Sequence, residues 1–182
     1  MRAINGLIIH ATATRAAWWL GERTSAKVNE VKRWHMDERG WSDIGYHFLI
    51  DRDGTVAKGR PIERTGAHVR GKNTGTIGIS LFGGHGGSES DKFADNFTAE
   101  QDTALRGLIA DLKARFGDVS VTGHNEYAAK ACPCFDVASW LASAPSPAAP
   151  TPAAPTPAAP VTAAPAAHWL TAFLQSLFGG KS

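Results

Sequence analysis

Tyr46-His47-Phe48-Leu49-Ile50-Asp51-Arg52-Asp53-Gly54-Thr55-Val56-Ala57-Lys58 places two β-prone runs on either side of Arg52-Asp53-Gly54. A short turn containing glycine between such runs is a hairpin signal, so Tyr46 to Asp51 and Thr55 to Lys58 are expected to pair antiparallel. Before the hairpin, Val28, Val31, Trp34 and His35 recur at helical spacing from Ser25 onward, with Lys27, Glu30, Lys32 and Arg33 on the other face and Gly40 as the stop. Earlier still, Leu7-Ile8-Ile9 reads as a short strand ending at His10, and Ala11 to Thr14 as a loop. After the hairpin, Thr76 to Phe82 alternates at period two, and Gly83-Gly84 with Gly86-Gly87 forces a loop. Thr98 and Gln101 stand in capping-box relation ahead of Leu105, Leu108, Ile109, Leu112 and Phe116 at helical spacing. Val119 to Thr122 is a further strand, and Phe135 to Leu141 a closing helix. Strands interleaved with helices around one hairpin predict an α/β domain with a mixed central β-sheet flanked by helices, over residues 1–143.

The remainder has a different composition. Of ten prolines in 182 residues, eight lie between Pro145 and Pro165, and Lys181 is the one charged residue after Ser143. Residues 144–167 repeat Ala-Ala-Pro-Thr-Pro, which builds neither helix nor core and predicts a disordered, extended Ala/Pro linker reaching about 70 Å at ~3.1 Å per residue. Residues 168–182 form a short amphipathic helix in this reading, with Leu170, Phe173, Leu174 and Leu177 on one face. Its apolar stretch spans roughly 16 Å, too little to cross a bilayer but enough to lie on one or to dock on a partner.

A formal charge of +2 from 19 basic and 17 acidic side chains gives no reason to expect a nucleic-acid partner. Cys132 and Cys134, one residue apart, exclude a disulfide framework. The short apolar run near Met1 lacks the length and cleavage site of a signal peptide, so synthesis in the cytoplasm is expected.

Seven histidines are candidates for chemistry. His10 and His124 each follow a predicted strand, and Cys132 comes eight residues after His124. Two imidazoles and a thiolate make a three-ligand zinc set with a position left for water, although ligands so distant in sequence define no motif by spacing alone. His47, beside Tyr46, falls on the opposite strand face and reads as structural. His35 is placed on the polar edge of its helix and His85 in a glycine loop, neither in a site.

Trp34-His35, Gly40-Trp41, Asp43-Ile44-Gly45-Tyr46-His47-Phe48, Arg52-Asp53-Gly54-Thr55-Val56, Ile77-Gly78 and Lys130-Ala131-Cys132-Pro133 together resemble the zinc-dependent N-acetylmuramoyl-L-alanine amidases of the phage T7 lysozyme and peptidoglycan-recognition-protein type. The likeness runs from about residue 4 to 141, with the blocks in the same order, and is strongest toward the T7-lysozyme branch. It implies a Zn2+ cofactor on His10, His124 and Cys132, with Tyr46 and Lys130 catalytic. Zinc in such a site lowers the pKa of water to about 7 and polarises the carbonyl, while the Lys130 ammonium would stabilise the charge developing on oxygen. Tyr46 would hydrogen-bond either the water or the departing amine. His68 and Asn73, in glycine-bounded loops, are candidates for binding substrate. Cys134 stands where the likeness has Ser and is taken as a bystander.

The resemblance implies a peptidoglycan hydrolase, most simply an endolysin that leaves the host cytoplasm through a pore-forming partner. It also raises a phage RNA polymerase as a second partner that the protein would inhibit. Two other readings compete: a non-catalytic peptidoglycan-binding module, and a metal-free hydrolase using Cys132 with His124 as base. The C-terminal segment adds contact with a membrane as an expectation, and a monomer is expected.

Overall fold

The computed structural model describes residues 2–145. Five strands form one sheet in the order β3-β2-β4-β1-β5, with β1 at Gly6–Ala11, β2 at Phe48–Ile50, β3 at Val56–Lys58, β4 at Thr76–Leu81 and β5 at Ser120–Gly123. β1 runs parallel to β4 and β5, and β2 runs parallel to β4. β2 and β3 are the predicted hairpin, antiparallel with Phe48 opposite Lys58 and Ile50 opposite Val56. The sheet is therefore mixed, as the hairpin among βα units required.

β1 and β4 are covered on both faces, which is why β1 is a nearly unbroken apolar run. The period-two pattern of Thr76 to Phe82 suggests a strand, and β4 is that strand, buried on both faces. Ile77, Ile79 and Leu81 pack with Leu7, Ile9 and Ile50 beneath α3 (Ala99–Phe116). Gly78, on the other face, is roofed by His47 and His68. On that second face Leu49 and Phe82 pack against Val28 and Val31 of α1 (Thr24–Arg33).

α3 begins as the capping box predicts. The Thr98 hydroxyl accepts from the Gln101 N–H, and the Gln101 amide oxygen accepts from the Thr98 N–H, both at 3.1 Å. Gln101 does more than cap: its Nε2, fully buried, donates to the carbonyls of Ile50 and Phe82 and ties the helix start to the ends of β2 and β4. A helix cap of this kind contributes about 1 kcal/mol. Lys27 of α1 and Asp51, the residue after β2, form a buried ion pair at 2.9 Å that docks α1 on the hairpin.

Three boundaries depart from expectation for local reasons. β1 continues through Ala11, so His10 lies inside the strand, in register with Ser80. α1 passes into a single π turn, Trp34–Glu38, and His35 within it is buried, in line with its i+7 and i+4 spacing from Val28 and Val31, rather than on a polar edge. The last helix, α4 (Val137–Ala142), starts after Asp136, whose carboxylate accepts from the Ser139 N–H. Between β4 and α3 lies a one-turn α2 (Phe93–Asn96). Apart from residues 144 and 145, the predicted linker and C-terminal segment lie outside the described residues.

Candidate metal centre and active site

The interior strand β1, between β4 and β5, carries His10 into the second face of the sheet, 1 % exposed. β5, its parallel neighbour, ends at Gly123, and His124 opens the 3₁₀ turn that follows. The loop leading to α4 returns Cys132 to the same place, held by the Asn125 N–H donating to the Cys132 carbonyl at 2.7 Å and by the Ala11 N–H donating to Sγ at 3.2 Å. Parallel pairing of β1 with β5 thus supplies what sequence spacing lacked. One ligand atom each from His10, His124 and Cys132 lies within 4.8 Å of the others, and this is the group of three such side chains found among the described residues. Cys132 Sγ stands 3.8 Å from His10 Nδ1.

Burial lowers the pKa of His10 well below its ordinary value, with His68, His124 and Lys130 adding to the effect. Burial and the Lys130 cation also lower His124, so both imidazoles are neutral and able to ligate at neutral pH. The Cys132 thiol is pushed up to about 11 by burial, against the pull of the Ala11 N–H and Lys130.

A cleft of about 680 Å³ opens over these three residues. Tyr46 forms one wall, its ring 5.2 Å from that of His10. Burial raises its pKa, so it remains a neutral phenol and a proton donor. Lys130 is exposed at the opposite side of the same cleft. His68 is buried in the wall with Nδ1 3.1 Å from His10 Nε2. Asn73 also lines the cleft, but its side-chain oxygen accepts from the N–H groups of both His68 and Val69, so it shapes the loop that carries His68. His47 takes the structural place foreseen for it: Nδ1 accepts from the Gly78 N–H and Nε2 donates to the Arg64 carbonyl. Cys134 is buried outside the group, its thiol donating to the Gly84 carbonyl.

Sequence reasoning missed His35, which forms part of the cleft wall beside Tyr46 and Trp41. The signal was its spacing with Val28 and Val31, which places it on the buried helix face. Arg39 and Arg70 were also overlooked; with Lys130 they give the cleft three cations, and no carboxylate lines it. A separate hollow of about 450 Å³ between α2, α3 and α4 has aromatic walls and contains none of these residues.

The model of the family described as N-acetylmuramoyl-L-alanine amidase matches residues 1–135. The chain belongs to that family. The amidase is similar to the endolysin of Escherichia phage T7, 40% identical over 136 residues that cover 75% of this chain and 84% of the relative. Among solved structures it is similar to the N-acetylmuramoyl-L-alanine amidase LysC from Clostridium intestinale, with a TM-score of 0.60, 28% identity and coverage of 78% and 85%. It is also similar to the ectodomain complex of peptidoglycan recognition proteins LCa and LCx bound to tracheal cytotoxin, with a TM-score of 0.60, 32% identity and coverage of 73% and 77%. The amidase fold, a mixed five-stranded sheet with helices on both faces, is thus the one the resemblance implied.

Proposed function

We propose that this amidase works with a zinc ion held by His10, His124 and Cys132 and with Tyr46 and Lys130 acting on the substrate. As a member of its family it is a peptidoglycan hydrolase of the endolysin type, cleaving the amide between N-acetylmuramic acid and L-alanine. The observation carrying the metal reading is the meeting, in one cleft, of three donors from β1, the end of β5 and the loop before α4. Two neutral imidazoles and a cysteine that would give up its proton to bind as thiolate fit zinc, and three protein ligands are the number that catalytic zinc sites use. Zinc bound there would supply Lewis-acid polarisation of the scissile carbonyl and bring the pKa of water near 7.

The chain's own groups account for the rest. The Tyr46 hydroxyl, kept protonated by burial, donates a hydrogen bond toward the reacting oxygen or the departing nitrogen. Lys130 places an ammonium at the cleft where negative charge develops on the carbonyl oxygen. Arg39 and Arg70 give the cleft a positive wall suited to the carboxylates of a stem peptide. His68 and Asn73, expected to bind substrate, line the same cleft with both ring nitrogens of His68 and the side-chain oxygen of Asn73 turned to internal partners.

A chelator tests the reading: it should abolish release of soluble wall fragments, and added zinc should restore it. Activity untouched by chelation would favour the thiol hydrolase built on Cys132 and His124. The non-catalytic binding module is disfavoured by the presence of Cys132, Tyr46 and Lys130 around one cleft.

Zone by zone, residues 1–143 form the enzyme, 144–167 the linker and 168–182 a membrane-contacting segment in this proposal. Among the described residues no helix is long and apolar enough to cross a membrane. Removing residues after 143 should leave hydrolysis of purified wall intact and lower liposome binding; equal liposome binding by both forms would count against the segment's role. Release from the host cytoplasm through a pore-forming partner is proposed on the endolysin likeness, and lysis by the amidase expressed without such a partner would contradict it. Inhibition of a phage RNA polymerase is proposed on the same likeness, and unchanged transcription with the cognate polymerase would remove it.

A further inference from the structure

The hydrogen bonds beneath the metal centre run in one direction. His10 turns Nδ1 toward Cys132 and Nε2 toward His68, the latter pair 3.1 Å apart. A ring nitrogen that ligates a cation carries no proton, so with Nδ1 on the metal side the single proton of neutral His10 sits on Nε2. That N–H donates to Nδ1 of His68, which must then be unprotonated. His68 therefore carries its own proton on Nε2, which faces Thr76 Oγ1 at 3.4 Å. The Thr76 hydroxyl in turn donates to the Lys72 carbonyl at 2.6 Å. Every donor in the series has an acceptor, and the series ends on backbone carbonyls, since the Thr76 hydroxyl also lies 3.2 Å from the Asn73 carbonyl.

The surroundings hold His68 in the orientation this requires. A Cβ at Gly66 would lie 2.5 Å from its Cδ2 and a Cβ at Gly78 2.5 Å from its Cγ, so the ring lies against two stretches of bare backbone. Asn73 fixes the backbone N–H of His68 itself at 2.8 Å. The ring of His47 packs edge-on against it with centroids 5.7 Å apart. A side chain meant to grip a variable substrate needs polar atoms left over, whereas both ring nitrogens of His68 face internal partners.

We propose that His68 is a positioning residue for the metal centre, accepting the Nε2 proton of His10 and so fixing that ring with Nδ1 turned to the ion. The inference rests on the reading of His10, His124 and Cys132 as zinc ligands. It moves His68 from the substrate side of the cleft to the metal side. Partners of this kind orient ligand rings and raise their basicity, and their loss commonly costs 10–100-fold in metal affinity.

The test is zinc affinity, measured by competition with a chromophoric chelator on the full chain, alongside KM and kcat at saturating zinc. His68→Ala should weaken zinc binding about 10–100-fold with KM little changed. His68→Asn, whose side-chain oxygen can stand near the position of Nδ1, should recover most of the loss, and Thr76→Val should weaken binding by a smaller factor. In the zinc-loaded wild type, long-range nitrogen–proton NMR should show His10 protonated on Nε2, a readout independent of whether His68→Ala folds. Zinc binding by a folded His68→Ala equal to wild type, a rise in KM at unchanged zinc affinity, or His10 protonated on Nδ1 would each overturn this inference alone. A wild-type chain that takes up no zinc would overturn the reading of the centre and this inference with it.

Discussion

The ring of His68 rests on the backbone of Gly78, so closely that a Cβ at Gly78 would stand 2.5 Å from Cγ of His68. The absence of a side chain in the middle of β4 is therefore what lets the cleft wall approach the sheet. Gly78→Ala should force the ring outward, at a cost of about 1–3 kcal/mol as overpacking in a buried site. Gly107 is the control: it is exposed in α3, a Cβ there would meet nothing within 4 Å, and Gly107→Ala should add about 0.5–1 kcal/mol. Urea unfolding midpoints of the two variants should move in opposite directions.

Cys132 and Cys134 are adjacent in composition but not in role. Cys132→Ser should abolish stoichiometric zinc and wall hydrolysis, since it removes the one thiol of the three-donor group. Cys134→Ser should retain both, because Cys134 bonds to the Gly84 carbonyl away from the centre. Atomic absorption on the purified variants separates the two, and retention of zinc by the first with loss from the second would reverse the assignment.

On the proposed function, Lys130 and Tyr46 would act on the reaction and their loss would leave the ion in place. Loss of one preorganised group that stabilises charge on the reacting oxygen costs about 10²–10³ in kcat, so Lys130→Ala should fall in that range. Tyr46→Phe should also lower kcat, through loss of the hydroxyl with the ring retained. Zinc content of both should match wild type, and normal turnover in either would remove that residue from the chemistry.

Acid should destabilise the metal-free fold through two histidines outside the ligand set. Burial holds His35 down to about 4, helped by the cations of Arg39 and Arg60, and burial holds His47 down to about 4 against the bond to the Arg64 carbonyl. Both folded values lie below the ordinary 6.5 of the unfolded chain, so between about pH 6.5 and 4 the unfolded state binds more protons and stability falls as pH falls. From pH 7 to 5 the loss should reach up to about 2 kcal/mol for His47, and less for His35, which borders the cleft and its water. His47→Asn can keep the acceptor for the Gly78 N–H without titrating, and its urea midpoint should fall less steeply between those pH values than that of wild type.

Features set by neighbouring residues were legible in the sequence. Arg52-Asp53-Gly54 between β-prone runs gives the hairpin, and Thr98 with Gln101 gives the start of α3, because turn and cap chemistry is local. The candidate donors are different: residues 10 and 124 meet through the parallel register of β1 and β5, residue 132 joins them from the following loop, and family resemblance, not spacing, pointed to them. His35 was misplaced as a polar-edge residue because histidine is polar, although its spacing from Val28 and Val31 favoured the buried face it takes. That β4 would be buried on both faces was not legible, because the small side of its alternation, Gly78, is covered by His68 from a distant loop.

The products of digestion test the central claim most directly. Purified peptidoglycan treated with the zinc-loaded chain should yield soluble fragments with new L-alanine amino termini and no new reducing ends, as seen by mass analysis. New reducing ends without free L-alanine amino termini would show that a glycosidic bond is cut, and would contradict the account.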